Sequence, residues 1–122
     1  MDVKTLLARM AAQREHWADL GDGKRLRFHR PQEVDMPGLM AGVRLEHVVR
    51  YACGWEGFTE ADLLGAAVGA SDPLPFAPEL WEAAVRDHAD WVGTVAQAMA
   101  ASVTDYLSSK AVVAKNSPPS ST

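Results

Sequence analysis

The reading of the chain turns on Val49-Arg50-Tyr51-Ala52-Cys53-Gly54-Trp55-Glu56-Gly57-Phe58-Thr59-Glu60-Ala61-Asp62. It is answered downstream by Pro73-Leu74-Pro75-Phe76-Ala77-Pro78-Glu79. The first stretch reads as a junction between helices. One helix is expected to end at Gly54, where a residue free to adopt positive φ suits a helix stop. Trp55 and Phe58 each follow a glycine. Thr59 then has the position of a helix cap, with the acid Asp62 three residues on, as in a capping box. In the second stretch the prolines fix φ and disfavour helix at the residue before them, which keeps the chain extended. Phe76 is thus delivered just ahead of a helix opening at Pro78, and proline suits a first helical turn. Aromatic side chains held in glycine turns need a fixed place to pack. The flanking helices are therefore expected to dock at this junction.

Upstream, Val3, Leu6, Leu7, Met10 and Trp17 recur at helical spacing and predict a first helix over 2–18. Asp19-Leu20-Gly21-Asp22-Gly23 ends it, and Asp22-Gly23 is a turn signal. The run Gly21-Asp22-Gly23-Lys24 lacks the frame and the hydroxyl residue of a phosphate loop, so a turn is the reading taken. From Lys24 to Arg30 the pattern alternates, with Leu26 and Phe28 on one side and Arg25, Arg27 and His29 on the other. That period predicts a half-buried strand near 24–30. A lone strand cannot satisfy its own backbone groups. Either the 19–23 turn makes a hairpin, or the strand pairs with another subunit, which would make the protein a homo-oligomer. Pro31 to Asp35 looks like a helix start interrupted by Pro37-Gly38, and the main second helix is expected over 37–53. Further helices are expected near 59–65, 78–89 and 90–110. After Lys115 nothing apolar remains to pack, so 1–115 reads as one domain and 116–122 as a disordered tail. The expected fold is mainly α with a short N-terminal β element, an α+β chain arranged as a small helical bundle.

The chain has 122 residues, a net charge of −4 and nearly half hydrophobic residues, which suits one soluble globular domain. Between Tyr51 and Ser109 the only Lys or Arg is Arg86, against nine acids. Such a surface could steer a basic partner, though a solvated helix face accounts for it as well. It speaks against nucleic-acid binding. The single cysteine, Cys53, permits no internal disulfide and fits a reducing compartment. No signal-peptide core or membrane-spanning run is legible, which predicts a cytoplasmic protein.

No catalytic constellation emerges. In Asp87-His88-Ala89-Asp90 the two aspartates share a helix face while His88 is turned away, so a helix break with a cap is preferred over a metal site. His16 and His47 are isolated. Cys53 lacks a partner at catalytic spacing, and no Gly-x-Ser-x-Gly elbow occurs. A non-enzyme needing no cofactor and no metal is the expectation. The four tryptophans, Trp17, Trp55, Trp81 and Trp91, are numerous for this length. They either build the core or line an exposed groove, since tryptophan is enriched at binding hot spots. Trp55 and Trp81, which flank the loop, are the candidates for a groove.

The pair of motifs Gly54-Trp55-Glu56-Gly57-Phe58-Thr59 and Pro73-Leu74-Pro75-Phe76-Ala77-Pro78-Glu79 resembles the tail assembly chaperone-type proteins of phages and prophages, encoded near the tape-measure gene. Those sequences often show a Gly-Trp-x-Gly-Val turn, an acidic stretch, then Pro-x-Pro-Phe-Ser before a helix. Phe58 stands here in the valine position and Ala77 in the serine position. Leu26 to Pro31 and the late Ala114-Lys115-Asn116 also fit, whereas Gly65 to Ala70 looks like an insertion. The resemblance covers roughly residues 24–116. It implies a protein of the host bacterial cytoplasm that coats the long helical tape-measure protein and recruits tail tube subunits. Trp55, Phe58, Phe76 and Trp81 would then contact partners. The alternative is a structural phage component, such as a head–tail connector or minor tail protein. A small nucleic-acid-binding regulator and an enzyme of unrecognised type are weaker readings.

Overall fold

The computed structural model describes residues 1–116. The fold is α+β. Its elements are α1 (Val3–Ala12), β1 (Glu15–Gly21), β2 (Lys24–His29), a 3-10 segment (Glu33–Leu39), α2 (Leu45–Arg50), β3 (Ala52–Glu56), α3 (Glu60–Leu64), α4 (Pro78–Val85) and α5 (Ala89–Asn116). The strands form one antiparallel sheet in the order β1-β2-β3.

Two expected helices give way to strands. The helix expected over 2–18 stops at Ala12, and Glu15 to Gly21 is β1. Within that run His16, Ala18 and Leu20 turn toward the core while Glu15, Trp17 and Asp19 face out, a period of two that also happens to place Trp17 on the helical spacing. The helix expected over 37–53 is shorter still. A 3-10 segment containing Pro37 precedes it, α2 spans only Leu45 to Arg50, and the chain enters β3 at Ala52. Gly54 is therefore not a helix stop. It lies in β3 opposite Arg27, whose guanidinium crosses it so closely that a Cβ there would stand 2.7 Å from Nη2. Arg27 Nη2 also donates to the Cys53 carbonyl at 3.1 Å.

The strand at 24–29 thus finds both partners within the chain. Gly21 pairs with Lys24 around a two-residue turn, and Asp22 and Gly23 both have positive φ. That is the geometry Asp-Gly favours in tight hairpins. The pairing through another subunit is not needed.

Among the described residues α2, α4 and α5 cover one face of the sheet, so the helices pack on a sheet as well as on one another. Ala18, Leu26, Phe28 and Trp55 on the sheet meet Val48 of α2, Trp81 and Val85 of α4, and Trp91, Val95 and Met99 of α5. On the other face Trp17 is exposed beneath the Arg25 guanidinium, 4.3 Å from its ring centroid, and Arg25 pairs with Glu56.

The junction is closed by local chemistry. Thr59 and Asp62 form the expected capping box of α3. The 66–77 loop folds back on it. Ala61 N–H donates to the Ala70 carbonyl at 3.0 Å, and Leu74 N–H to the Phe58 carbonyl at 2.8 Å. Pro78 opens α4 as expected, and the break between Val85 and Ala89 falls at Asp87-His88. The last helix runs on to Asn116, past the expected end near 110. Of the expected disordered tail, residues 117–122 lie outside the described residues.

Asp62 also pairs with Lys24 at 3.3 Å, which ties α3 to the hairpin. Burial opposes the Asp62 charge. The Thr59 backbone N–H and hydroxyl, together with Lys24, outweigh it and hold the carboxyl below its ordinary value. The contribution is complete above the unfolded carboxyl pKa of about 4 and falls away as pH drops through the lower folded value. We expect Asp62→Ala to cost about 1–2 kcal/mol at neutral pH. In urea titrations the gap to the parent should narrow below about pH 4. A gap that is constant with pH would refute the charge as its origin.

Candidate functional site

The structure brings Trp55, Phe58, Phe76 and Trp81 together, along with Trp91 and His88, which the sequence reading had not grouped with them. Trp55 stacks on Phe58 at a centroid distance of 4.3 Å and meets the edge of Phe76 at 5.4 Å. Phe58 stands edge-on to Trp81 and Trp91, and these two indoles are parallel at 6.1 Å. His88 lies on Trp91 at 3.6 Å. Offset-stacked and edge-to-face contacts of this kind are the favoured aromatic arrangements.

The cluster is interior. Phe58 and Trp81 are fully buried, Trp55 is 9% exposed, and Phe76 is half-buried at its rim. Both indole donors are satisfied within the chain: Trp81 Nε1 donates to the Val48 carbonyl at 3.2 Å and Trp55 Nε1 to the Leu74 carbonyl at 2.7 Å. Trp55 and Trp81 therefore line no groove in this structure. They join the sheet, α2, α4 and the proline loop into one core.

Nothing among the described residues gathers three His, Cys, Asp or Glu side chains as a metal site would require. His88 Nδ1 lies 2.8 Å from the Ala84 carbonyl, His16 stacks on Phe28, and His47 Nδ1 accepts from Arg44 N–H at the start of α2. Burial pushes the Cys53 thiol up, and the nearby Arg27 does not reverse it. That moves it away from the thiolate a nucleophile requires.

The surface features lie elsewhere. Met36, Leu39, Met40, Gly42 and Val43 face Ala100, Val103 and Thr104 of α5 across an apolar groove of about 200 Å³. Met36 anchors the near wall and is buried, whereas Met40 is 83% exposed. Pro37 lies inside the 3-10 segment, between the two methionines. At its start Glu33 is clamped to α5, accepting from Tyr106 Oη at 2.6 Å and from Lys110 Nζ at 2.6 Å. The Lys110 and Tyr106 hydrogen bonds hold the Glu33 carboxyl below its ordinary value. The groove wall is thus held at one end and open at the other. Methionine side chains are flexible and polarisable, and they adapt to varied apolar partners.

A second feature is α1, of which no residue is buried. A third is a cleft of about 250 Å³ between α3 and α4, lined by Leu63, Leu64, Leu80, Ala83 and Ala84 with Asp87 and His88 at its edge. Sequence reasoning missed the groove because residues 37–53 read as one regular helix, with Met40 among its apolar residues. The signal was present in Pro37-Gly38, which breaks that helix and leaves Met40 outside the core.

Among the described residues no helix is long and apolar enough to cross a membrane. Comparison with protein-family models, with curated proteins and with solved structures gives no match.

Proposed function

We propose that the chain is a non-enzymatic assembly factor of the phage tail assembly chaperone type. In this reading it acts in the host bacterial cytoplasm, binds the long helical tape-measure protein and recruits tail tube subunits. The observation that carries it is the methionine-lined groove beside α5. An amphipathic helix presents apolar side chains at i, i+3, i+4 and i+7, and an apolar groove is the surface that receives them. A rod-like helical partner repeats that stripe along its length. Each contact can then be weak, because many copies on one rod bind by multivalency. The motif pair around Trp55 and Phe76 supports the same reading by resemblance, although its aromatic residues serve to pack the domain.

The test is co-expression with the tape-measure protein and purification through a tag on this chain. A soluble stoichiometric complex is expected. The double variant Met40→Glu, Val103→Asp should reduce recovery of the partner at least tenfold while its circular dichroism stays that of the parent. Undiminished recovery with that variant would remove the groove from the mechanism. Absence of any complex, with the chain present in purified particles, would overturn the chaperone reading in favour of a structural connector or minor tail protein.

A further inference from the structure

The helix α1 combines an unburied apolar face with an arrangement of charge that has a counterpart on the same molecule. Val3, Leu6, Leu7 and Met10 stand at i, i+3, i+4 and i+7, and all four are exposed. At about 100° per residue they share one stripe, and Lys4 and Arg9 fall on its two flanks. Neither cation forms an ion pair among the described residues. A ten-residue helix is too short to be stable in water without packing its apolar face.

The cleft between α3 and α4 is the complementary surface. Its floor is apolar: Leu64 is 61% exposed and Leu80 37%. One acid, Asp87, lines it, and both helices that form it carry further exposed acids. Glu60 stands at the start of α3, Glu79 beside Leu80 on α4, and Asp87 at the cleft edge. All three are exposed, and none forms an ion pair among the described residues. An apolar stripe flanked by cations and a leucine-lined cleft whose two helices carry unpaired carboxylates match in both polarity and charge.

We infer that α1 of one copy docks into the α3–α4 cleft of a second copy, with Lys4 and Arg9 against Glu60, Glu79 and Asp87. The two surfaces are different patches, so the contact is heterologous and repeats head to tail, giving an open chain or a ring. The inference is independent of the proposed function, since it concerns the purified chain alone.

Charge exchange tests it. Sedimentation velocity of the wild-type protein should show a concentration-dependent ladder of oligomers that shrinks as salt is raised. Lys4→Glu with Arg9→Glu should give monomers, and so should Glu79→Lys with Asp87→Lys. All four positions are exposed, so at dilutions where the parent is also monomeric both variants should match its circular dichroism and thermal midpoint. Mixed together, the two variants should regain the ladder, because each acidic α1 meets a basic cleft and each basic α1 an acidic cleft. Apparent affinity in the mixture should exceed that of either variant alone by at least tenfold. A wild type that stays monomeric at its highest soluble concentration would overturn the inference. A mixture that stays monomeric would do the same. So would loss of assembly through the α1 pair with no effect of the cleft pair, which would instead indicate α1 pairing with α1.

Discussion

Trp81→Ala is expected to remove about 4 kcal/mol or more of stability, the largest loss from any single truncation in this chain. Trp81 is fully buried between Phe58 and Trp91, so its removal leaves a cavity walled by rigid rings that cannot collapse onto one another. The substitution also strands the Val48 carbonyl, which accepts from Trp81 Nε1 inside the core. A buried acceptor without its donor adds about 1–3 kcal/mol. Against a total of roughly 5–15 kcal/mol for a small domain, most of the margin is gone. Urea unfolding followed by circular dichroism should show a much lower midpoint, or no folded baseline. Trp81→Phe keeps most of the volume but still loses the donor, so it should fall between. Trp17→Ala, on the open face of the sheet, should cost about 1 kcal/mol or less. Equal losses at Trp17 and Trp81 would contradict the placement of the core.

The second large effect is expected at Gly57, where a glycine is required for two separate reasons. Its φ is +79°, a conformation that costs other residues about 1–2 kcal/mol. A Cβ there would also lie 2.1 Å from the Gly23 carbonyl oxygen and 3.3 Å from Lys24 Cα, and both of these are backbone atoms in the hairpin turn. No rotamer change relieves that overlap. Either the β3–α3 turn or the β1–β2 turn must move, and the Lys24–Asp62 pair spans the two. Gly57→Ala should therefore cost about 3 kcal/mol or more, measured as the shift in unfolding free energy. Gly93→Ala is the control. Gly93 lies within α5 with nothing within 4 Å of its Cβ position, so that change should stabilise by about 0.5–1 kcal/mol. Opposite signs from one substitution type would separate backbone freedom and close approach from mere removal of a glycine.

Much of the local structure was legible. The Thr59–Asp62 box, the start of α4 at Pro78, the break at Asp87-His88, the Asp22-Gly23 turn and the buried face of β2 all follow from residues close together in the chain. The two places where a strand replaced an expected helix share one cause. His16 to Leu20 and Ala52 to Trp55 carry patterns that either a helix end or a strand can use. β2 decided between them, because its backbone groups had to be paired on both sides. Gly54 looked like a helix stop because nothing nearby in sequence reveals that Arg27 lies across it.

The candidate site divides in the same way. The sequence by itself drew Trp55, Phe58, Phe76 and Trp81 to one junction, since the turn at Gly57 and the proline run from Pro73 to Pro78 lie between or beside them. Only the tertiary structure decided that Trp55, Phe58 and Trp81 face inward with Phe76 half-buried beside them, while Met40, Leu6 and Leu64 face out. Whether a large apolar side chain is buried depends on which surfaces long-range pairing brings over it. A pattern of neighbours along the chain carries the spacing of such residues, and the fold supplies what covers them.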